Sequence, residues 1–177
     1  MKEDTNISLL REIRDLLKNK TVPVSATPEN TNGTWTITVP EGMTIEKALA
    51  ECKALFSVQR WTDKNMDEIV TSDRDTKKAY TIKFKSNVEA DEELKNLSAN
   101  DLRGRKTITL LERILLELDY FKRTGEHLDV ENITLCAGSR DTVGFVPRCH
   151  WLDGKFYVYW LCLGYSGSSL RARVAVL

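Results

Sequence analysis

The dipeptide Asp153-Gly154, set between the runs 146–152 and 155–161, constrains this chain more than any other feature. Asp-Gly supplies the two positive φ angles of a type I′ turn, so it predicts a two-residue β-hairpin of fixed register. Paired residues then have numbers that sum to 307: Leu152 with Lys155, Trp151 with Phe156, His150 with Tyr157. Side chains alternate across a pleated strand, and the register sorts them onto two faces. One face carries Phe145, Pro147, Cys149, Trp151, Phe156, Val158, Trp160 and Cys162 and is expected to meet the core. The other carries Val146, Arg148, His150, Leu152, Lys155, Tyr157, Tyr159 and Leu161, a mixture that suits plain surface or a binding surface.

The strongest helix signal lies upstream. Thr109-Leu-Leu-Glu112 reads as a capping box opening a helix over 109–123, and Gly125 is a suitable stop. Leu110, Leu111, Ile114, Leu115, Leu116, Leu118 and Phe121 leave only a narrow polar stripe of Glu112, Arg113, Glu117 and Asp119. So broad an apolar surface marks a helix enclosed by the fold. The sequence therefore predicts an α+β protein. An antiparallel sheet containing the 146–152/155–161 hairpin packs its Trp151/Trp160 face on that helix.

Other elements are expected around this pair. The alternating run Thr34–Val39 reads as a strand, and Thr44 caps a helix to about residue 56 with Ile45, Ala48, Leu49 and Cys52 inward. Residues 57–61 and 79–85 read as a second strand pair flanking a charged, exposed loop, 63–78. Residues 89–103 are weakly helical, and the acids Glu89, Asp91, Glu92 and Glu93 complement a helix start. A strand at 132–137 and a loop at 138–144 lead into the hairpin, and 171–177 reads as a last strand.

Residues 6–18 form a short amphipathic pattern, with Leu9, Leu10, Ile13, Leu16 and Leu17 on one side. A Thr-, Asn- and Pro-containing linker follows, so the chain divides into an arm, 1–33, and a domain, 34–177. A helix of that length is not stable alone in water, so its leucines need a cover. The expected cover is the chain's own domain, a second copy or another protein.

Charge narrows the function. Lys and Arg number 26 against 26 Asp and Glu, and a neutral chain is a poor general grip on phosphate backbones. No apolar run approaches the length of a membrane span, and the first residues lack a signal-peptide pattern. The expected location is cytoplasmic, with no membrane partner and the four cysteines reduced.

Cys136, Cys149, His150 and Cys162 suggest zinc, yet no Cys-x-x-Cys pair is present and His150 faces away from Cys149 and Cys162. Those two cysteines sit roughly 13 Å apart along a strand. Buried thiols are the better reading, and no metal or cofactor is implied. Cys136 or Ser139 with His127 or His150 gives a possible nucleophile and base, but without an elbow motif or a third orienting group.

The mixed hairpin face is the more promising constellation. Arg148 pairs across the strands with Tyr159 and His150 with Tyr157, which suits cation–π and stacking contacts. Ser139, Arg140 and Asp141 enter the same region, and Arg171 and Arg173 follow it. Five basic residues stand against two acidic ones over 134–177, a modest basic, aromatic patch in a neutral chain. Its plainest reading is the solvated side of a sheet. Its functional reading is a non-enzymatic binding or interaction module whose partner is a protein, reached through this surface, the 139–141 loop or residues 6–18. Nucleic-acid binding through the patch is the alternative, and a small Cys- or Ser-dependent enzyme comes third.

The stretches Leu128-Asp129-Val130-Glu131-Asn132 and Thr134-Leu135-Cys136-Ala137-Gly138-Ser139-Arg140-Asp141, then Val146-Pro147, Trp151, Asp153-Gly154 and Leu170-Arg171-Ala172-Arg173, resemble a family of uncharacterised bacterial proteins. The likeness extends through 90–102 and 39–52 and so covers about residues 35–177. It implies no chemistry. The chain departs from it in the N-terminal arm, and Thr142-Val143 and Leu163-Gly164 stand where the family carries more acidic loops.

Overall fold

The computed structural model describes residues 33–177. The amphipathic segment 6–18 and the linker expected after it lie outside the described residues. In chain order the elements are β1 (Thr34–Val39), α1 (Ile45–Lys53), β2 (Val58–Arg60), α2 (Met66–Ile69), β3 (Val70–Ser72), β4 (Tyr80–Lys85), a 3₁₀ turn (Glu92–Leu94), α3 (Leu110–Thr124), β5 (Ile133–Leu135), β6 (Ser139–Asp141), β7 (Val146–Leu152), β8 (Lys155–Leu161) and β9 (Leu170–Arg171). The fold is α+β.

The hairpin forms in the expected register, from Val146 opposite Leu161 to Leu152 opposite Lys155. Asp153 and Gly154 both have positive φ, 48° and 74°, which is the type I′ requirement. The hairpin is the centre of a five-stranded sheet ordered β2-β8-β7-β5-β9. Its outer strands are short and parallel to their neighbours: β2 runs with β8, and β9 runs with β5.

Helix α3 also matches its sequence signals. Thr109 Oγ1 accepts from Glu112 N–H, Glu112 accepts from Thr109 N–H, and Gly125 closes the helix at φ 75°. Its apolar side packs with Cys149, Phe156 and Val158 of the hairpin, and with Trp35, Ile37, Ile82 and Phe84, in one core. The core face of the hairpin tapers at its ends. Trp151 and Trp160 are half-buried, while Phe145 and Cys162 are exposed, because α3 covers only the middle of the sheet.

The opposite face is also covered in part. Val146 is fully buried with Leu135, Leu170, Ala172, Leu94, Ala99 and Leu102 in a second, smaller core. Register places Leu135 beside Arg148 and Ile133 beside Leu170, so this cluster sits on the Arg148 side of the sheet.

Several expectations are corrected. The segments 57–61 and 79–85 do not pair with each other. β4 pairs with β1, where Trp35, Ile37 and Val39 face Phe84, Ile82 and Tyr80 and their shared apolar side covers α3. The loop 63–78 is not wholly exposed. Asn65 caps α2 through Asp67 N–H, Met66 is buried, and Asp67 accepts from Ile45 N–H at the start of α1. The acids of 89–93 open no α-helix; Glu92 and Glu93 stand in the first turn of the short 3₁₀ segment, and the side chains reach elsewhere. Glu89 accepts from Val130, Asn132 and Glu131 N–H, Glu92 pairs with Arg171, Glu93 with Lys85, and Asp91 accepts from Val174 N–H. They anchor distant segments. The last strand is regular only over Leu170–Arg171, and beyond it Ala172, Val174 and Val176 make isolated bridges to Asp91, Thr107 and Lys83.

Gly138 is a close-approach position. A Cβ there would meet Thr107 O at 2.7 Å and Ile108 O at 3.1 Å, and neither backbone oxygen yields easily. Gly138→Ala is expected to cost about 1–3 kcal/mol, the usual range for overpacking. Urea unfolding checks this against Gly164→Ala, whose added methyl would meet only Asn100 Nδ2 at 3.7 Å.

Candidate binding face

Alternation along β7 and β8 places Arg148, His150, Tyr157 and Tyr159 on the side of the sheet away from α3. The four make one contiguous stack. The His150 and Tyr157 rings lie 5.2 Å apart at 23°, Tyr157 and Tyr159 lie 5.6 Å apart, and the Arg148 guanidinium sits 5.6 Å over the Tyr159 ring. All four are half-buried, flanked by the second core and open along the rest of the face. Arg148 Nε and His150 Nδ1 are enclosed without a hydrogen-bond partner. Burial lowers the Arg148 pKa. Burial first, and then the nearby Arg148 charge, depresses His150 from 6.5 to about 4.

The sign of the pH effect follows. An unfolded chain takes up the His150 proton near pH 6.5, whereas the folded chain resists it down to about 4. This contribution to stability is full above 6.5 and is lost as pH falls from 6.5 towards 4. Because the ring is only partly enclosed, solvent screening keeps its size on the order of 1 kcal/mol. His150→Phe is therefore expected to flatten the stability profile in that window. Chemical denaturation at a series of pH values checks this, and an unchanged slope contradicts it.

The remaining sequence-predicted residues lie elsewhere and already have partners. Ser139 is buried in β6, which pairs with β3; its Oγ lies 2.7 Å from Ser72 Oγ and accepts from Leu110 N–H at 2.9 Å. Arg140 donates to the carbonyls of Ala137 and Ser139. Asp141 accepts from Val143 and Phe145 N–H, which shapes the turn before β7. Arg171 is buried against Glu92 and Asn132. Arg173 is fully buried, donating to Asp129 at 2.8 Å and to the carbonyls of Asn87 and Val88. The basic excess of 134–177 thus does not collect on one surface. Two of its arginines are turned inward: Arg173 meets the buried Asp129 carboxylate and two carbonyls, and Arg171 meets Asn132 and the exposed Glu92.

The nucleophile–base combinations do not assemble. Cys136 Sγ faces Cys149 Sγ at 3.9 Å, and Ser139 Oγ is taken up by Ser72 and Leu110. His127 Nδ1 bonds Glu117 Oε1 at 2.8 Å, with its ring stacked between Trp151 and Phe121. Among the described residues no three His, Cys, Asp or Glu side chains are placed to share a metal ion.

A group that sequence reasoning missed runs through the interior. Arg113 Nη1 donates to Glu117 and its Nε to Asp129, Asp129 also receives Arg173 and Thr134, and Glu117 receives His127. Arg113, Glu117, Asp129 and Arg173 are all fully buried. Burial opposes the Asp129 charge, but the Arg173 and Arg113 charges outweigh it and hold its pKa below 3.8. The available signal was the Arg113/Glu117 spacing of four within the narrow polar stripe of a largely apolar helix.

An open groove of about 440 Å³, lined by Arg105, Lys106, Val174, Ala175, Val176 and Leu177, includes none of the predicted site residues. Among the described residues no helix is long and apolar enough to cross a membrane. The fold and this face define an α+β protein with a half-buried cationic and aromatic surface on one side of a mixed sheet. No family model, curated protein or solved structure matches the chain.

Proposed function

We propose that this protein is a non-enzymatic interaction module. Its Arg148/His150/Tyr157/Tyr159 face receives a carboxylate-bearing segment of a partner protein. One observation carries the reading: Arg148 is half-buried with no carboxylate partner among the described residues, and its Nε is enclosed and unpaired. The contrast is internal. Arg60, Arg74, Arg113, Arg123, Arg171 and Arg173 each hold a carboxylate. A partly desolvated guanidinium that holds no carboxylate favours an incoming anion, and charge-assisted bonds are the stronger kind. Tyr157 and Tyr159 supply rigid, amphipathic contact area beside it at low entropic cost. The inward placement of Arg171 and Arg173 removes two cations from the alternative, a nucleic-acid surface.

The test is fluorescence anisotropy with a labelled oligo-glutamate peptide and, in parallel, a labelled single-stranded oligonucleotide. The peptide is expected to bind at low salt. Arg148→Ala is expected to weaken it roughly tenfold or more, as loss of a charged hydrogen bond implies. Equal binding by wild type and Arg148→Ala contradicts the reading. Preferential, steeply salt-dependent capture of the oligonucleotide replaces the protein partner with nucleic acid.

A further inference from the structure

Cys136 follows β5 and Cys149 lies in β7, the adjacent antiparallel strand. Cys136 N–H bonds Pro147 O, which sets the two cysteines diagonally across the ladder, and their sulfurs lie 3.9 Å apart. Both residues are fully buried. Neither has another side-chain hydrogen-bond partner among the described residues. From sequence, only Cys149 and Cys162 were set against each other, on opposite ends of one face, and the Cys136–Cys149 pairing was not visible. A disulfide needs sulfurs about 2 Å apart, so closing this pair asks the two sulfurs to approach by roughly 2 Å.

We infer that Cys136 and Cys149 form a buried dithiol that a small peroxide converts to an intramolecular disulfide. One thiolate attacks hydrogen peroxide, the O–O bond breaks, and a sulfenic acid and water result. The second thiol then displaces that oxygen as water, and the S–S bond forms. Two thiols are oxidised by two electrons in total, one peroxide is reduced, and two waters leave. The guanidinium of Arg113 opposes the effect of burial at Cys136 and favours the thiolate there that starts the step. Burial, together with the neighbouring Cys149, holds the Cys136 proton well above its ordinary pKa, so the pair reacts slowly. The site is independent of the binding face, although the bond would tie β5 to β7 next to Arg148.

The full chain is treated with hydrogen peroxide and followed by intact mass and tryptic mapping, with exposed Cys162 as the internal clock. The expected result is loss of two hydrogens and a disulfide linking peptides 124–140 and 149–155. A rise of several degrees in the thermal midpoint accompanies it and reverses with dithiothreitol. Cys136→Ala is expected to abolish both the link and the rise. The inference is overturned if Cys136 and Cys149 remain unlinked after peroxide exposure prolonged well beyond full oxidation of Cys162. It is equally overturned if either joins Cys52 or a second molecule instead.

Discussion

Arg113→Ala is expected to destabilise the protein by about 3–5 kcal/mol, the cost of breaking a buried charge network by deleting one member. Arg113 is fully buried on α3 and links Glu117, 2.8 Å from its Nη1, to Asp129, 2.9 Å from its Nε. Burial works against its charge, but the Asp129 and Glu117 carboxylates prevail and raise its pKa. Removing the side chain leaves Glu117 dependent on His127 alone and opens a void beside Phe156, over whose ring the guanidinium lies at 5.3 Å. Urea unfolding measures the loss. Lys122→Ala, which breaks an exposed pair with Glu51, is the control and is expected to cost under about 1 kcal/mol.

The second large effect is at Asp129→Asn, expected to cost about 3 kcal/mol at neutral pH because Arg113 and Arg173 lose their shared charge. Its pH dependence is specific. The folded-state pKa of Asp129 lies below the unfolded 3.8, so its stabilisation is complete above that value and is lost as pH falls through the folded pKa. Wild type is therefore expected to lose stability steeply below about pH 4, and the gap between wild type and Asp129→Asn should narrow there. A gap that stays constant into strong acid contradicts the assignment. This acid limb lies below the His150 window of pH 6.5 to 4, so the two contributions separate on one titration.

Why does a chain this size hold such a network in its interior? A buried ion pair gives little net stability over well-packed apolar groups, because desolvation offsets attraction. The geometry points to placement. Asp129, held at φ 53°, joins α3 to the C-terminal segment through Arg113 and Arg173, and its carbonyl accepts from Trp151 N–H. Replacing the whole set by apolar residues is predicted to matter less than breaking it one residue at a time.

The hairpin, α3 and α1 were legible in the sequence because local rules determine them. Asp153-Gly154 sets the register, the Thr109/Glu112 box and Gly125 bound α3, and Thr44 caps α1. The partners of β2 and β4 were not legible. β2 is only Val58-Gln59-Arg60 and β4 is a plain alternating run, so only the tertiary arrangement decides that one runs parallel to β8 and the other antiparallel to β1. The binding face was half legible. Alternation predicts that Arg148, His150, Tyr157 and Tyr159 share a side, and they do. Alternation is blind to what covers the other arginines. Arg171 and Arg173 read as surface charge because their partners, Glu92 and Asp129, lie 79 and 44 residues away. Ser139 reads as a candidate nucleophile because nothing local reveals that its hydroxyl receives the first amide of α3.

The proposed function rests on Arg148 and its aromatic neighbours as the contact surface. Its most direct measurement is an NMR titration of the isotope-labelled full chain with the oligo-glutamate peptide. The predicted result is a set of shift changes centred on Arg148, His150, Tyr157 and Tyr159, absent in Arg148→Ala. Changes confined to the groove at Arg105, Lys106 and residues 174–177, or no changes at all, would contradict it.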